Sequence, residues 1–454
     1  MTGSNSKPPV GGDPPTPSVD AAEKARAHAI ASERTAATIR GVDPTVAPAD
    51  LSHACVIGGG QMGTGIATAL LQGGLAVTMV ETSQANIANA AARIRANWAN
   101  AVNRGKLTEA EVEERLRRFD GVTDLAHVRP TELFVEAVWE NMALKQQVFE
   151  QISALAPETA VLATNTSSLD INEIAAATGR PADVVGLHFF SPAHVMRLLE
   201  VVRGRETSDR CLATAMALAQ RLGKVAVVVG VCDGFVGNRI FAKRDHQAAR
   251  MLIEGATPAQ IDQALVRFGF PMGTFALFDM VGGIELNWRL RQQTGEEDAL
   301  GDALYESGRL GQRVGKGYYR YEPGDRTPIP DPEVEAIIAS IREKAGVTAR
   351  DIGEQEILDR MILPMINEAA KILDEGVAQR ASDIDVVWNT GYGWPLDKGG
   401  PAYYGDMLGV AYVRDRLKAL QARHGDHFAP APLLEKLVSE GRRLSETPGN
   451  ALAG

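Results

Sequence analysis

Cysteine is nearly absent: Cys55, Cys211 and Cys232 are the only three in 454 residues. Being so few, odd in number and widely spaced, they exclude a disulfide framework or a cysteine zinc site and point to a reducing compartment. Long apolar runs are missing too. The longest, residues 225–232, falls far short of the ~18 residues a membrane-spanning helix needs. Positive charge is in deficit, with 47 Lys and Arg against 57 Asp and Glu and a net charge of −10. A broad polyanion-binding face needs clustered Lys and Arg, so nucleic acid and anionic membrane are excluded as extended partners. A small anion in a locally basic pocket is not. The first residues have neither the apolar core of a signal peptide nor an Arg-rich amphipathic transit sequence, and the Ala-Leu-Ala-Gly end is no peroxisomal address. The expected compartment is the cytoplasm.

What remains is globular in composition, with 45% apolar and 23% charged residues. The length predicts two or three domains. Glycine is in excess at 45 residues, which predicts many turns and close backbone approaches. Residues 1–18 are rich in Pro, Gly, Ser and Thr and read as a disordered tail; 21–40 is Ala-rich and can be helical; 41–50, with Pro44 and Pro48, reads as an extended connector. From Leu51, strand-like segments at 54–57, 76–81, 133–137, 161–163, 184–187 and 224–231 alternate with helical ones, the pattern of a parallel sheet with crossover helices. After Asp233 the pattern turns helical, with 238–254 a helix ended by Gly255.

A related segment then recurs. Asn238-Arg239, Ala248-Ala249 and Glu254-Gly255 match Asp359-Arg360, Ala369-Ala370 and Glu375-Gly376 at a constant offset of 121, and Asp279 with Gly282 recurs as Asp406 with Gly409. Amphipathic helices do look alike, but this match extends through the caps and into Gly-Phe-Pro (269–271) and Gly-Trp-Pro (393–395) turns. A duplicated helical domain, packed about a pseudo-twofold axis within one chain, is the expectation.

Three constellations carry chemistry. Gly58-Gly59-Gly60-Gln61-Met62-Gly63 is G-x-G-x-x-G between a strand and a helix. Gly58 allows the tight turn, Gly60 lets the backbone approach a pyrophosphate, and Gly63 allows close helix packing. Glu81, 21 residues past Gly60 at the end of the second strand, can accept both ribose hydroxyls and would repel the 2'-phosphate of NADP, so NAD is the expected cofactor. In the second, Ser191-Pro192 separates two apolar runs, and a reversal near His194 would place His188 opposite Glu200. A carboxylate on one imidazole nitrogen raises the basicity of the other, although a buried structural His-Glu bridge has the same signature. His194 itself reads as an ordinary loop histidine. The third, Thr164-Asn165-Thr166-Ser167-Ser168-Leu169, puts small polar groups at a strand's C-terminal end, where open sheets bind ligands; a helix cap is the plain alternative. Asn238 likewise reads as an N-cap or a ligand contact, and one residue could do both jobs.

These motifs, with His188-Phe189-Phe190, Val195-Met196-Arg197-Leu198-Leu199-Glu200 and Gly234-Phe235-Val236-Gly237-Asn238-Arg239, occur in the order seen in L-3-hydroxyacyl-CoA dehydrogenases, and residues 51–420 resemble that family. The duplication resembles the dehydrogenase part of multifunctional beta-oxidation enzymes, and 31–48 resembles the linker after their hydratase module, which has no counterpart in these residues. The resemblance implies an α/β Rossmann-type NAD-binding domain (51–231) followed by two related all-α domains (232–325 and 350–445) of the 6-phosphogluconate-dehydrogenase C-terminal type, with 1–50 as disordered tail and linker. It implies NAD-dependent oxidation of an (S)-3-hydroxyacyl-CoA, with His188 as base, Glu200 as its orienting carboxylate, and Ser167 and Asn238 bonded to the reacting oxygen. Cofactor contacts carry over to Gly58, Gly60, Met62, Gly63, Glu81, Glu140, Lys145 and Ser167, and CoA phosphate contacts to Arg104 and Lys106. For Glu140 and Lys145, as for the basic stretch Arg93, Arg95, Arg104 and Lys106, a solvated helix face is the bland reading. No metal is implied. The expected partners are the acyl-CoA and, in a complex, a separate enoyl-CoA hydratase; the chain itself is expected as a monomer or dimer.

Some positions depart from the family. Ser191 stands for the usual Asn after His-Phe-Phe, Thr274 for a Pro, and Arg313 for a frequent Lys. They leave the reaction type intact but open the choice of acyl group. Asp359, in Asn238's place, implies that the second copy is structural. The competing functions are a free hydroxy-acid dehydrogenase of the carnitine or gulonate type and a non-catalytic, crystallin-like NAD-binding protein.

Overall fold

A computed structural model describes residues 18–450. Eight strands form one sheet: β1 (His53–Ile57), β2 (Ala76–Val80), β3 (Phe119–Val122), β4 (Leu133–Glu136), β5 (Val161–Thr164), β6 (Val184–Phe189), β7 (Leu198–Arg203) and β8 (Val225–Gly230), in the order β3-β2-β1-β4-β5-β6-β7-β8. Strands β1, β4 and β5 are buried along their whole length, as apolar strands covered on both faces must be. Alternation assigns the faces: Leu133 and Val135 join the core layer of Ile66, Leu70 and Trp98, whereas Phe134 joins Phe149 and Ile152 on the opposite side. The β3 strand, polar at Asp120 and Gly121, was not among the expected strands; it is recruited by pairing along β2 at the sheet edge.

The sheet is parallel except between β6 and β7. Only residues 190–197 join those two strands, too short a connection for a parallel crossover, so the chain must turn back beside itself. The carboxyl ends of β1 and β4, where the strand order reverses, open the crevice in which such sheets hold ligands.

After β8 the chain is helical. The helices Gly237–Glu254 and Glu354–Asp374 pack antiparallel, and their duplicated residues make duplicated contacts. Asp262 accepts hydrogen bonds from the Phe275 and Ala276 amides; Asp385 accepts them from Ala402 and Tyr403. Asp279 caps Tyr318 and Tyr319, and Asp406 caps Leu444 and Ser445. The two Gly-x-Pro turns face each other: a Cβ on Gly269 would meet Pro395, and one on Gly393 would meet Pro271.

The Ala-rich segment is helical, as expected, and it is docked on the rest of the chain. Residues 1–17, most of the expected disordered tail, lie outside the described residues, but the rest of the segment is not slack. Helix Val19–Ala36 buries Ala25, Ala29, Ser32 and Ala36, a stripe of small side chains that allows close helix approach. His28 hydrogen bonds Asp385 at 2.8 Å and stacks on Tyr403, and Glu33 pairs with Arg197 at 2.6 Å. Arg40 ties the following stretch to Gln379.

Candidate active site

The glycine turn follows β1 with its three glycines in distinct physical roles. Gly58 has φ +99° and a Cβ there would lie 2.8 Å from the Ala137 carbonyl oxygen; at Gly63 it would lie 1.8 Å from the Gly58 carbonyl oxygen. Gly60 faces open space, the room a pyrophosphate needs, and no side chain caps the helix Gln61–Gln72 that begins there. Its first amides and positive dipole end are therefore free for an anion, with Met62 in that first turn. Glu81, at the mouth of β2, accepts from the Gly59 amide (2.5 Å) and from Thr82 and Asn86, which hold its carboxylate beside the turn. These residues fit a dinucleotide.

Beside them lies a buried ionic network. Lys145 is 1% exposed, not on a solvated helix face, and its ammonium lies 2.7 Å from Glu136 and 3.3 Å from Glu140. Glu136 also accepts from Thr164 and the Val138 amide. Burial pushes the Glu140 carboxyl up, but Lys145, the Thr166 hydroxyl and the Ser167 amide outweigh it and hold it below its ordinary value. Glu140 thus grips Ser167 at both its amide (2.8 Å) and its hydroxyl (3.3 Å). Thr164 belongs to the polar strand end expected to meet a ligand, whereas Glu136 was not among the expected site residues; the signal was a carboxylate ending an apolar strand in Glu-x-x-x-Glu.

The reversal between β6 and β7 sets His188 directly across from Glu200. His188 Nδ1 lies 2.7 Å from Glu200 Oε2, and both side chains are buried. The other carboxylate oxygen accepts from the Gly237 amide at 2.9 Å. With Nδ1 committed, Nε2 is the nitrogen left for a reactant. Phe190 and Phe235 pack on the imidazole, at 4.4 and 5.6 Å between centroids. Phe235 does so from φ 48°, a left-handed conformation costing a bulky residue about 1–2 kcal/mol. Asn165 accepts from the Phe189 amide and joins the Ser167 loop to the β6 strand.

The reversal is pinned from outside. Lys224 donates to the carbonyls of Ala193 and Met196, each at 2.7 Å, and burial lowers its pKa to about 8. His194, in this turn, is also lowered by burial and by Lys224. Ser191 accepts from the Gln61 side chain, so the residue that departs from the family joins the reversal to the glycine turn.

Asn238 is not an N-cap. The cap position falls on Val236, and Asn238 sits in the first helical turn, its Oδ1 accepting from the Tyr392 hydroxyl at 2.6 Å. Tyr392 escaped sequence reasoning because nothing local links the two residues. Asp359, in Asn238's equivalent place, is bound by Gln355 and Arg416. Thr274 donates to Asp245, and Arg313 pairs with Glu285. Arg104 and Lys106 are exposed at the end of helix Gln84–Asn103, while Arg95 is engaged by Glu113. The structure thus joins Ser167, Glu140 and Lys145 in one network and His188, Glu200 and the start of the long helix in another, but draws neither Arg104 nor Lys106 into them.

Residues 53–232 match the family described as 3-hydroxyacyl-CoA dehydrogenase, NAD binding domain, and 234–321 and 357–451 match 3-hydroxyacyl-CoA dehydrogenase, C-terminal domain. A peroxisomal bifunctional enzyme of Danio rerio is 38% identical over 416 residues, 87% of this chain and 57% of that protein. The chain spans about 60% of the length of the curated relatives it matches. The crystal structure of 3-hydroxybutyryl-CoA dehydrogenase from Escherichia coli superposes with a TM-score of 0.74 at 28% identity, covering 87% of this chain and 100% of that one. That of (S)-3-hydroxybutyryl-CoA dehydrogenase from Ralstonia eutropha is 34% identical with a TM-score of 0.55, covering 60% and 100%.

Proposed function

The chain belongs to the 3-hydroxyacyl-CoA dehydrogenase family, an NAD-binding oxidoreductase, and from that premise we propose that it interconverts an (S)-3-hydroxyacyl-CoA and the 3-oxoacyl-CoA with His188 as base. The observation that carries this reading is the buried contact of 2.7 Å between His188 Nδ1 and Glu200, backed by the Gly237 amide. Gly58, Gly60, Met62 and Gly63 would hold the pyrophosphate of NAD, Glu81 its ribose, and Glu140 and Lys145 with Ser167 the nicotinamide end. When bound, NAD supplies the hydride acceptor.

In the oxidative direction His188 Nε2 takes the proton of the C3 hydroxyl, and Glu200 stabilises the imidazolium that forms. A base so placed is worth ~10²- to 10⁴-fold, about 3–5 kcal/mol of barrier. The Asn238 amide donates to the reacting oxygen as its charge changes, and Ser167 Oγ joins it when its one hydroxyl hydrogen turns from Glu140, 3.3 Å away, to that oxygen. In reduction the imidazolium returns the proton. Exposed Arg104 and Lys106 are the proposed contacts of the CoA phosphates. The proposed domain limits are 51–231, 232–325 and 350–445. A separate hydratase would supply the hydroxyacyl substrate.

Cytosolic residence is a proposal that rests on the sequence reading alone; no described helix is long and apolar enough to cross a membrane. The Danio rerio relative, by contrast, is peroxisomal by name. The test of function is to mix the protein with acetoacetyl-CoA and NADH and follow the nicotinamide absorbance. Wild-type turnover with His188→Gln slowed at least ~10²-fold is expected; an inert wild type overturns the proposal.

A further inference from the structure

We propose that Tyr392, contributed by the second helical copy, is a positioning residue of the active site that fixes the Asn238 amide through its hydroxyl. The inference rests on the functional reading above. It starts from the 2.6 Å hydrogen bond in which the phenol donates to Asn238 Oδ1. A carboxamide carries an acceptor at one end and two donors at the other, and the ends are nearly equal in size. An oxygen that becomes an alkoxide or a carbonyl during hydride transfer is stabilised only by donors. In the observed arrangement Tyr392 claims the amide oxygen and leaves the Nδ2 hydrogens as the groups free to meet the reacting oxygen.

The phenol is held as tightly as such a task requires. Its ring stacks on Trp388 at 4.5 Å, meets Phe190 edge-on at 5.5 Å and lies 5.7 Å from Phe241. Phe190 in turn packs on the His188 imidazole. Glycine at 237 makes the approach possible, because a Cβ there would lie 2.5 Å from the Tyr392 ring. The same Gly237 gives its amide to Glu200. Two successive residues at the head of the long helix therefore connect the two orienting groups: 237 reaches the carboxylate behind His188, and 238 reaches Tyr392. Burial keeps the phenol pKa well above 10, so it remains a donor at any working pH.

The duplication supplies an internal control. Tyr392-Gly393-Trp394-Pro395 is the counterpart of Phe268-Gly269-Phe270-Pro271. Phe268 packs against Trp394 and Tyr404 without a hydroxyl. In the second copy Asp359 replaces the amide and turns to Gln355 and Arg416. Hydroxyl and amide thus occur together on one side of the pseudo-twofold axis and are both gone from the other. Packing alone does not demand the hydroxyl.

The experiment is a double-mutant cycle on the full chain with acetoacetyl-CoA and NADH, using Tyr392→Phe, Asn238→Ala and the two combined. Tyr392→Phe keeps the ring, and its kcat is expected to fall about tenfold, the worth of one hydrogen bond, with both KM values within about twofold of wild type. If Tyr392 acts through Asn238, the combined variant is no slower than Asn238→Ala; a general packing role would multiply the two losses. Unchanged kcat in an active Tyr392→Phe enzyme, or multiplied losses, overturns the assignment while leaving the function intact. A wild type inert with acetoacetyl-CoA overturns the functional reading and the assignment with it.

Discussion

Arg239 and Arg360 occupy equivalent places in the two helical copies, and each reaches the carboxylate at the far end of the other's helix. Arg239 donates to Glu375 at 2.5 and 2.8 Å; Arg360 donates to Glu254 at 2.6 and 2.7 Å. Glu254 and Glu375 are themselves separated by the offset of 121 that separates the arginines. The inner partners obey the same rule, Arg239 meeting Glu368 and Arg360 meeting Gln247. This reciprocity is that of an isologous dimer interface, here folded into one chain. The same arrangement carries Tyr392 of the second copy to Asn238 of the first.

The arginine of the second copy is the more consequential of the pair, since its side chain is wholly buried. Arg360→Ala leaves Glu254 to Arg350 alone and should cost about 1.5–3 kcal/mol, the worth of a hydrogen bond between charged groups. The check is denaturant unfolding; a loss below about 1 kcal/mol would show the pair to be energetically idle.

Acid should loosen the same interface. Burial raises the Glu254 pKa, but hydrogen bonds and charge from Arg360 and Arg350 outweigh it, and the folded value drops to about 2 from 4.5. A depressed carboxylate pKa contributes stability that is present above the unfolded value and is lost as pH falls through the folded one. Melting temperature should therefore decline as pH falls from 4.5 towards 2, and less steeply in Glu254→Gln. Parallel acid profiles for the two proteins would contradict the linkage.

Two glycine substitutions in the cofactor turn should separate binding from folding. Gly63→Ala drives a Cβ against the Gly58 carbonyl and should destabilise the first domain. Gly60→Ala meets no protein atom and should melt near the wild-type temperature. Its NADH affinity should nonetheless fall, because the methyl occupies the room left for the pyrophosphate. Calorimetric titration reads the difference, and full NADH affinity in Gly60→Ala would place the cofactor elsewhere.

Lys145→Met tests the network behind Ser167. The substitution leaves Glu136 fully buried without its ammonium partner and Glu140 without its nearest cation. A stability loss of about 3–5 kcal/mol is expected, together with weaker NADH binding. A stable variant that binds NADH normally would reduce Lys145 to a spectator.

Much of the site lay open to reading along the chain. The glycine turn and Glu81 obey spacing rules because strand, turn and helix form one continuous local unit. His188 and Glu200 could be paired across a reversal because they lie 12 residues apart and a turn of that size permits one antiparallel register. The helix 238–254 and its recurrence were visible in periodicity and caps, although its start lies one residue earlier and deprives Asn238 of the capping role.

Other features have no local signature. Lys145 sits on a helix pattern that could face solvent, and only the position of Glu136 at the end of β4 makes it a buried ion. The docking of the first helix joins His28 to Asp385 across 357 positions, and the hydroxyl on Asn238 comes from 154 positions away. Spacing and composition dictate contacts made within one turn or crossover, because the backbone itself sets those distances. Contacts between distant segments depend on how sheet and helices pack as solids, and in this chain that packing brings the Tyr392 hydroxyl to the Asn238 amide.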